Sequence, residues 1–166
     1  MNVTNKILLD TNIVNYYLTD SDELKKFAQV LEGRQRALSF ATVAELTFWQ
    51  FQLINEQKKS NIDKTTAESL LIELNNFIIE SEFIVPNTRI AQIAADLAFK
   101  YDKRKRKNKT KNIFNEENIR HSSRWHDFWI AATAIEKKLT LVTNNIEHFK
   151  KIDGLDYYDP EADKDS

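Results

Sequence analysis

Three acids in this sequence stand where carboxylates can do chemistry. Asp10 closes the apolar run Lys6-Ile7-Leu8-Leu9, Glu45 falls early in a helical stretch opening at Thr42, and Asp127 lies in the first turn of a helix that begins near Arg124. Carboxylates are hard oxygen donors, and a small group of them suits Mg²⁺ or Mn²⁺, ions that keep several waters and accept phosphate oxygens as further ligands. An ion held in this way generates hydroxide and neutralises charge on a pentacoordinate phosphorus. Each acid also has a plain helix role. Asp10 is equally placed to cap the helix beginning at Thr11, and Glu45 to close a Thr42-x-x-Glu45 capping box. Asp127 is equally placed to complement a helix dipole. Spacing alone does not choose between these roles.

What would bring the acids together is the order of elements. Lys6 to Asp10 has the continuous apolar character of a strand buried on both faces of a parallel sheet. Helices are predicted over Thr11 to Leu18 and Asp22 to Leu31, the second with Ser21 as N-cap and Gly33 just past its end. A strand at Ala37 to Phe40 precedes a helix from Thr42 to about Ile54, and Asp63 to Glu80 forms a longer one. Phe83 to Pro86 is a strand stopped by proline. Asn87 caps a helix through Ile90 and Leu97, the Arg124 helix ends at Lys137-Lys138, and strands follow at Leu139 to Thr143 and Leu155 to Tyr158. Strands alternating with helices imply a three-layer α/β/α fold around a mainly parallel sheet. In such sheets the carboxyl ends of the strands form the ligand crevice, which is where Asp10 and the helix starts would deliver their acids.

Composition removes several alternatives. With two glycines, Gly33 and Gly154, neither a G-x-G-x-x-G turn nor a phosphate loop can be written. There is no cysteine, hence no disulfide framework, thiolate zinc site or cysteine nucleophile. His121, His126 and His148 contain no i,i+4 pair, which argues against a zincin-type site. Two prolines and two glycines in 166 residues also argue against a turn-dense β fold. No run approaches the roughly 18 apolar residues that cross a bilayer, and no secretory signal opens the chain, so a cytoplasmic protein without membrane contact is expected. The expected organisation is one domain over 1–166, with a basic insertion around 102–123 and an acidic C-terminal tail at 153–166.

The arrangement resembles a known family. Ile7-Leu8-Leu9-Asp10-Thr11-Asn12, Ala41-Thr42-Val43-Ala44-Glu45-Leu46, Asp127-Phe128-Trp129-Ile130-Ala131-Ala132-Thr133-Ala134 and Leu141-Val142-Thr143-Asn144-Asn145-x-x-x-Phe149 are similar, in order and spacing, to the four signature blocks of PIN-domain nucleases, especially bacterial VapC toxins. The resemblance spans the chain apart from the insertion. It implies a metal-dependent endoribonuclease in which Asp10, Glu45 and Asp127 bind Mg²⁺ or Mn²⁺ and activate water against an RNA phosphodiester. The family's fourth acid falls at Asn145, an amide here, which leaves one metal provided for and a second poorly so. Thr11 and Thr143 match hydroxyl positions that orient carboxylates or a water, or that serve as strand-end and cap hydroxyls. His126 is placed to touch phosphate or to be incidental.

Charge adds a second feature. Lys and Arg total 24 against 25 Asp and Glu, yet residues 100–111 carry eight bases and one acid, leaving −8 for the rest of a chain whose net charge is −1. Within it Lys103, Arg104, Lys105, Arg106, Lys107, Lys109 and Lys111 make a stripe suited to an RNA backbone, or to a solvated loop. Trp125 and Trp129, beside Asp127, read as core residues rather than base-stacking platforms, with Trp125 suited to either role. The helix from Thr42 is apolar nearly all round, through Val43, Leu46, Phe48, Trp49, Phe51, Leu53 and Ile54, so one face is expected to meet a small antitoxin protein or a second copy, with Tyr16 and Tyr17 beside it. The expected partners are therefore an RNA substrate (tRNA, rRNA or mRNA), an antitoxin, and a homodimer or a higher hetero-oligomer with that antitoxin. The alternatives are a PIN-type RNA-processing nuclease without antitoxin, or a catalytically decayed RNA-binding module, which Asn145 favours.

Overall fold

Ile7, Leu8 and Leu9 have no exposed surface, and a run buried on both sides can only lie inside a sheet covered by two layers of helices. The computed structural model, which describes residues 5–19, 21–58, 63–101 and 124–160, places this run as β1 (Lys6–Leu9) at the middle. The chain continues through α1 (Thr11–Leu18), a 3-10 segment (Asp22–Phe27) running into α2 (Ala28–Leu31), β2 (Gln35–Ser39), α3 (Phe40–Lys58), α4 (Lys64–Glu80), β3 (Glu82–Ile84) and α5 (Thr88–Tyr101). After residue 123 come α6 (Trp125–Lys137), β4 (Thr140–Val142), α7 (Ile146–Phe149) and β5 (Tyr157–Tyr158). The strands are parallel throughout and stand in the order β3-β2-β1-β4-β5.

Alternation along each strand feeds two cores, since successive side chains point to opposite faces. Leu8, Ala37 and Leu141 meet Ile90, Ala94, Phe128 and Ala131 of α5 and α6 on one face. Ile7, Leu9, Leu38 and Val142 meet Ile13, Phe27, Leu46, Leu74 and Phe77 on the other. The expected three-layer α/β/α architecture is thus the observed one. Truncating a central residue such as Leu8 to Ala would cost about 2–5 kcal/mol, because neither layer can collapse into the space. Among the described residues no helix is long and apolar enough to cross a membrane.

The strand order carries the function. The chain builds outward from β1 to β2 and β3, then returns to the far side of β1 for β4, so the direction of winding reverses between β1 and β4. A crevice opens at such a reversal, at the carboxyl ends of the strands. The Asp10 N–H donates to the Val142 carbonyl at 3.0 Å, which joins the two strand ends at that point.

The caps at Ser21 and Asn87 form as expected, accepting from the backbone N–H groups of Glu23 and Ile90, and Asp63, expected as the first residue of its helix, is instead the N-cap of α4, accepting from the Thr66 N–H. Gly33 takes the expected positive φ of 67°. Other details differ. The helix at Asp22 opens as a 3-10 segment, and the second strand occupies Gln35–Ser39. The Thr42 capping box does not form. Ser39 Oγ accepts from the Thr42 N–H at 3.0 Å, so α3 starts earlier, at Phe40. Thr42 is buried within it, its hydroxyl 2.9 Å from Ser39 Oγ and 3.3 Å from the Leu9 carbonyl.

Candidate active site

Releasing Glu45 from a capping role leaves its carboxylate for the crevice. Asp10, Thr11, Glu45, His126, Asp127 and Asn145 line one open cleft of about 760 Å³ at the winding reversal. Three different local devices deliver the acids. Asp10 is the N-cap of α1, its Oδ1 accepting from the Thr11 N–H at 2.8 Å. Glu45 projects from α3, and Thr11 donates its hydroxyl to Glu45 Oε2. Asp127 comes from the first turn of α6. The cap role and the cleft role of Asp10 therefore coexist.

The second carboxylate oxygen of Asp10 is held from behind. Thr143, fully buried just past β4, donates to Asp10 Oδ2 at 2.6 Å, and Asn12 Nδ2 donates to the same atom at 3.0 Å. Asp10 itself is 7% exposed. Its pKa is raised from 3.8 to about 6, chiefly by burial, with the charges of Asp127 and Glu45 adding to the rise and the hydrogen bonds from Thr143 and Thr11 opposing it. Three carboxylates close enough to disturb one another electrostatically are what a bound cation would relieve.

The other two acids also have protein partners. His126 Nδ1 lies 3.1 Å from Glu45 Oε1. Asp127 Oδ2 is 2.8 Å from His148 Nδ1 and accepts from Arg124 Nε at 3.3 Å. Arg124 also donates through Nη2 to the His148 carbonyl, tying α6 to α7. Asn145 lies with its amide 2.6 Å from His148 Nδ1, and its backbone N–H donates to Thr143 Oγ1 at 2.9 Å. Among the described residues no three His, Asp or Glu side chains form a cluster that would grip an ion unaided. The donor set is nonetheless all hard oxygen and anionic, and Mg²⁺ commonly takes one or two carboxylates with waters and substrate phosphate as its other ligands. By that chemistry the residues present fit Mg²⁺ or Mn²⁺.

Thr143 sits behind Asp10, outside the wall of the cleft. Lys103, Arg104, Lys105, Arg106, Lys107, Lys109 and Lys111 lie outside the described residues. Trp125 and Trp129 pack together edge-on at 6.1 Å against the core, as read from sequence. Asn12, Arg124 and His148 were not singled out for the site by sequence. Asn12 belongs to the first motif block, Arg124 stands three residues before Asp127, and His148 three after Asn145, but only the fold brings α7 against α6. Tyr17 turns to Phe77, 5.2 Å away, so it does not extend the exposed face of α3.

A three-layer fold with a cleft at its winding reversal is the ligand-binding form of an open α/β sheet, here with acids in the cleft wall. The family model described as "PIN domain" matches residues 7–155, and the chain belongs to the PIN-domain family, a family of nucleases. No curated protein matches it at a significant level. Solved structures do. VapBC2 from Rickettsia felis, bound to a DNA fragment from its promoter, aligns with a TM-score of 0.61 and 24% identity, over 92% of this chain and 97% of that one. VapBC-1 from nontypeable Haemophilus influenzae gives 0.63 and 21%, over 94% and 98%. A toxin-antitoxin complex from Klebsiella pneumoniae gives 0.54 and 21%, over 93% and 97%.

Proposed function

We propose that this protein is an Mg²⁺- or Mn²⁺-dependent endoribonuclease and the toxin of a toxin-antitoxin pair. The observation that carries the reading is the meeting of Asp10, Glu45 and Asp127, from three separate elements, in one cleft of a PIN-domain chain. These three acids would hold the ion. When bound, the ion supplies a water of lowered pKa and a positive charge at the phosphorus. Thr143 and the Thr11 N–H fix Asp10 so that its carboxylate cannot turn away, and the Thr11 hydroxyl does the same for Glu45. His148 and Arg124 orient Asp127. Asn145 brings an amide oxygen without charge, so the site supports one ion better than two.

The basic stripe from Lys103 to Lys111 would draw in and follow the RNA backbone, a contact that weakens with salt. The similar VapBC and toxin-antitoxin structures support a protein antitoxin as partner, and it would occlude the acidic cleft. Phe51, 67% exposed on α3 beyond the cleft, is the kind of side chain such an interface covers, whether by antitoxin or by a second copy. The test is cleavage of a structured RNA by the purified chain with Mg²⁺ or Mn²⁺ beside Asp127→Asn and Glu45→Gln. Metal-dependent cleavage lost in both variants supports the reading, and equal rates in wild type and Asp127→Asn would refute it.

A further inference from the structure

The two side chains that donate to Asp10 Oδ2 are each aimed by a backbone N–H of the loop after β4. Thr143 Oγ1 accepts from the Asn145 N–H at 2.9 Å and gives its own hydrogen to Asp10 at 2.6 Å. Asn12 Oδ1 accepts from the Asn144 N–H at 3.2 Å, and Asn12 Nδ2 donates to Asp10 at 3.0 Å. A backbone N–H can only donate, so the Asn12 atom facing it is the oxygen and the NH₂ group is left for Asp10. The loop is gripped by α1 in turn. Asn12 and Tyr16 stand one helical turn apart on the same face of α1. Asn12 takes the Asn144 backbone N–H, and Tyr16 Oη accepts from Asn144 Nδ2 at 2.8 Å.

We infer that Asn12 is a positioning residue for Asp10, holding Oδ2 against the loop after β4 so that Oδ1 is the oxygen offered to a cation in the cleft. The inference rests on the metal-dependent reading above. Each carboxylate oxygen has two lone pairs. At Oδ2 both are engaged, by Thr143 and Asn12. Oδ1 accepts from the Thr11 N–H and keeps its other lone pair. Thr143 reaches Oδ2 from the end of β4 and Asn12 reaches it from α1, so two elements fix the carboxylate where one would let it rock. Asn12 also lines the cleft beside Asp10. Hydrogen-bond partners that orient a ligating carboxylate matter to the ion almost as much as the ligand does.

The test has two arms on the full chain. The first is thermal denaturation at pH 8 in EDTA. Asn12→Asp keeps the oxygen that accepts from the Asn144 N–H but turns the other arm from donor to acceptor. With Asp10 present, that sets two carboxylates against each other, and the melting temperature should fall by about 2–8 °C. In the Asp10→Asn background the same change gives the amide at position 10 an acceptor for its NH₂ group, and the melting temperature should rise by about as much. A residue that only ties the loop to α1 would shift both backgrounds alike. The second arm is calorimetry with Mn²⁺. Asn12→Ala should weaken binding about tenfold where Asp10 is present and leave it unchanged in Asp10→Asn. Shifts of one sign in both backgrounds, or Mn²⁺ affinity indifferent to Asn12→Ala, overturn the positioning role but not the nuclease. A reversal of sign in a wild type that neither binds Mn²⁺ nor cleaves RNA supports the hold on Oδ2 and sinks the metal-dependent reading. If there is neither reversal nor Mn²⁺ binding, both fail.

Discussion

Replacing Asp10 by Asn should abolish activity and, above neutral pH, make the protein more stable. Burial favours the neutral acid, so the folded protein holds the Asp10 proton more tightly than the unfolded chain does. Stability from this group is therefore fully present below about pH 3.8 and is lost as pH rises through about 6. The rise from 3.8 to about 6 corresponds to about 3 kcal/mol, at about 1.4 kcal/mol per pH unit. An amide at position 10 avoids that penalty and keeps the cap to Thr11, since Asn and Asp cap about equally well. It also sets an NH₂ group against Asn12 Nδ2, which now donates to Asp10 Oδ2 at 3.0 Å, and that conflict costs about 1–2 kcal/mol. The net gain at pH 8 is then about 1–2 kcal/mol, or roughly 2–8 °C for a domain of this size. At pH 4 the gain is gone and the lost hydrogen bond remains, so the variant should melt below wild type. Thermal denaturation in EDTA between pH 4 and 8.5 reads this directly. A difference that does not change with pH, or a variant less stable than wild type at pH 8, would refute the reasoning.

Other outcomes follow from the same geometry. Asn145→Asp should tighten Mn²⁺ binding to the RNA-free protein about fivefold, near 1 kcal/mol at an effective dielectric of ~20; calorimetry showing unchanged or weaker binding would put Asn145 outside the ion's reach. It need not speed cleavage, because another negative charge repels RNA. His148→Ala removes a partner 2.8 Å from Asp127 and should lower kcat more than it raises KM, with His148→Gln recovering part of the loss. Phe51→Glu should weaken self-association or antitoxin binding in light scattering without changing the melting temperature by more than a few degrees, since the side chain is exposed. A wild-type chain that stays monomeric and binds no antitoxin would count against that surface.

The acids were legible in the sequence because they interrupt apolar runs at strand ends and helix starts, and because α/β topology sends those places to one edge of the sheet. Sequence left the roles of Asp10 and Glu45 open between cap and site. Asp10 caps α1 through Oδ1 and also lines the cleft, with Oδ2 held by Thr143 and Asn12. Glu45 was freed by a residue that the Thr42 motif does not contain, Ser39, whose hydroxyl takes the Thr42 N–H. Local spacing marks a cap only when no nearby hydroxyl competes for the same donor. The contact of His148 with Asp127, and the Arg124 bond to the His148 carbonyl, depend on α7 lying against α6, and no local pattern encodes that; the Arg124–Asp127 pair is a local i,i+3 contact. The all-round apolar character of α3 predicts one face packed on the chain and the other met by a partner. Leu46 is buried, but Phe48, Trp49 and Phe51 remain exposed, because the chain's own helices cover one face and nothing in the described residues covers the other.

The central claim is that Asp10, Glu45 and Asp127 act together on one divalent ion. Calorimetric titration of Mn²⁺ into the RNA-free protein, with Asp10→Asn, Glu45→Gln and Asp127→Asn run beside wild type, tests it most directly. Each variant should lose about tenfold or more in affinity, since each removes one anionic donor from the same cleft, and a double variant should lose less than the two single losses combined, as residues sharing one ion do. Binding that depends on Asp10 but is indifferent to Glu45 and Asp127, or no measurable binding in wild type at millimolar Mn²⁺, would contradict the account.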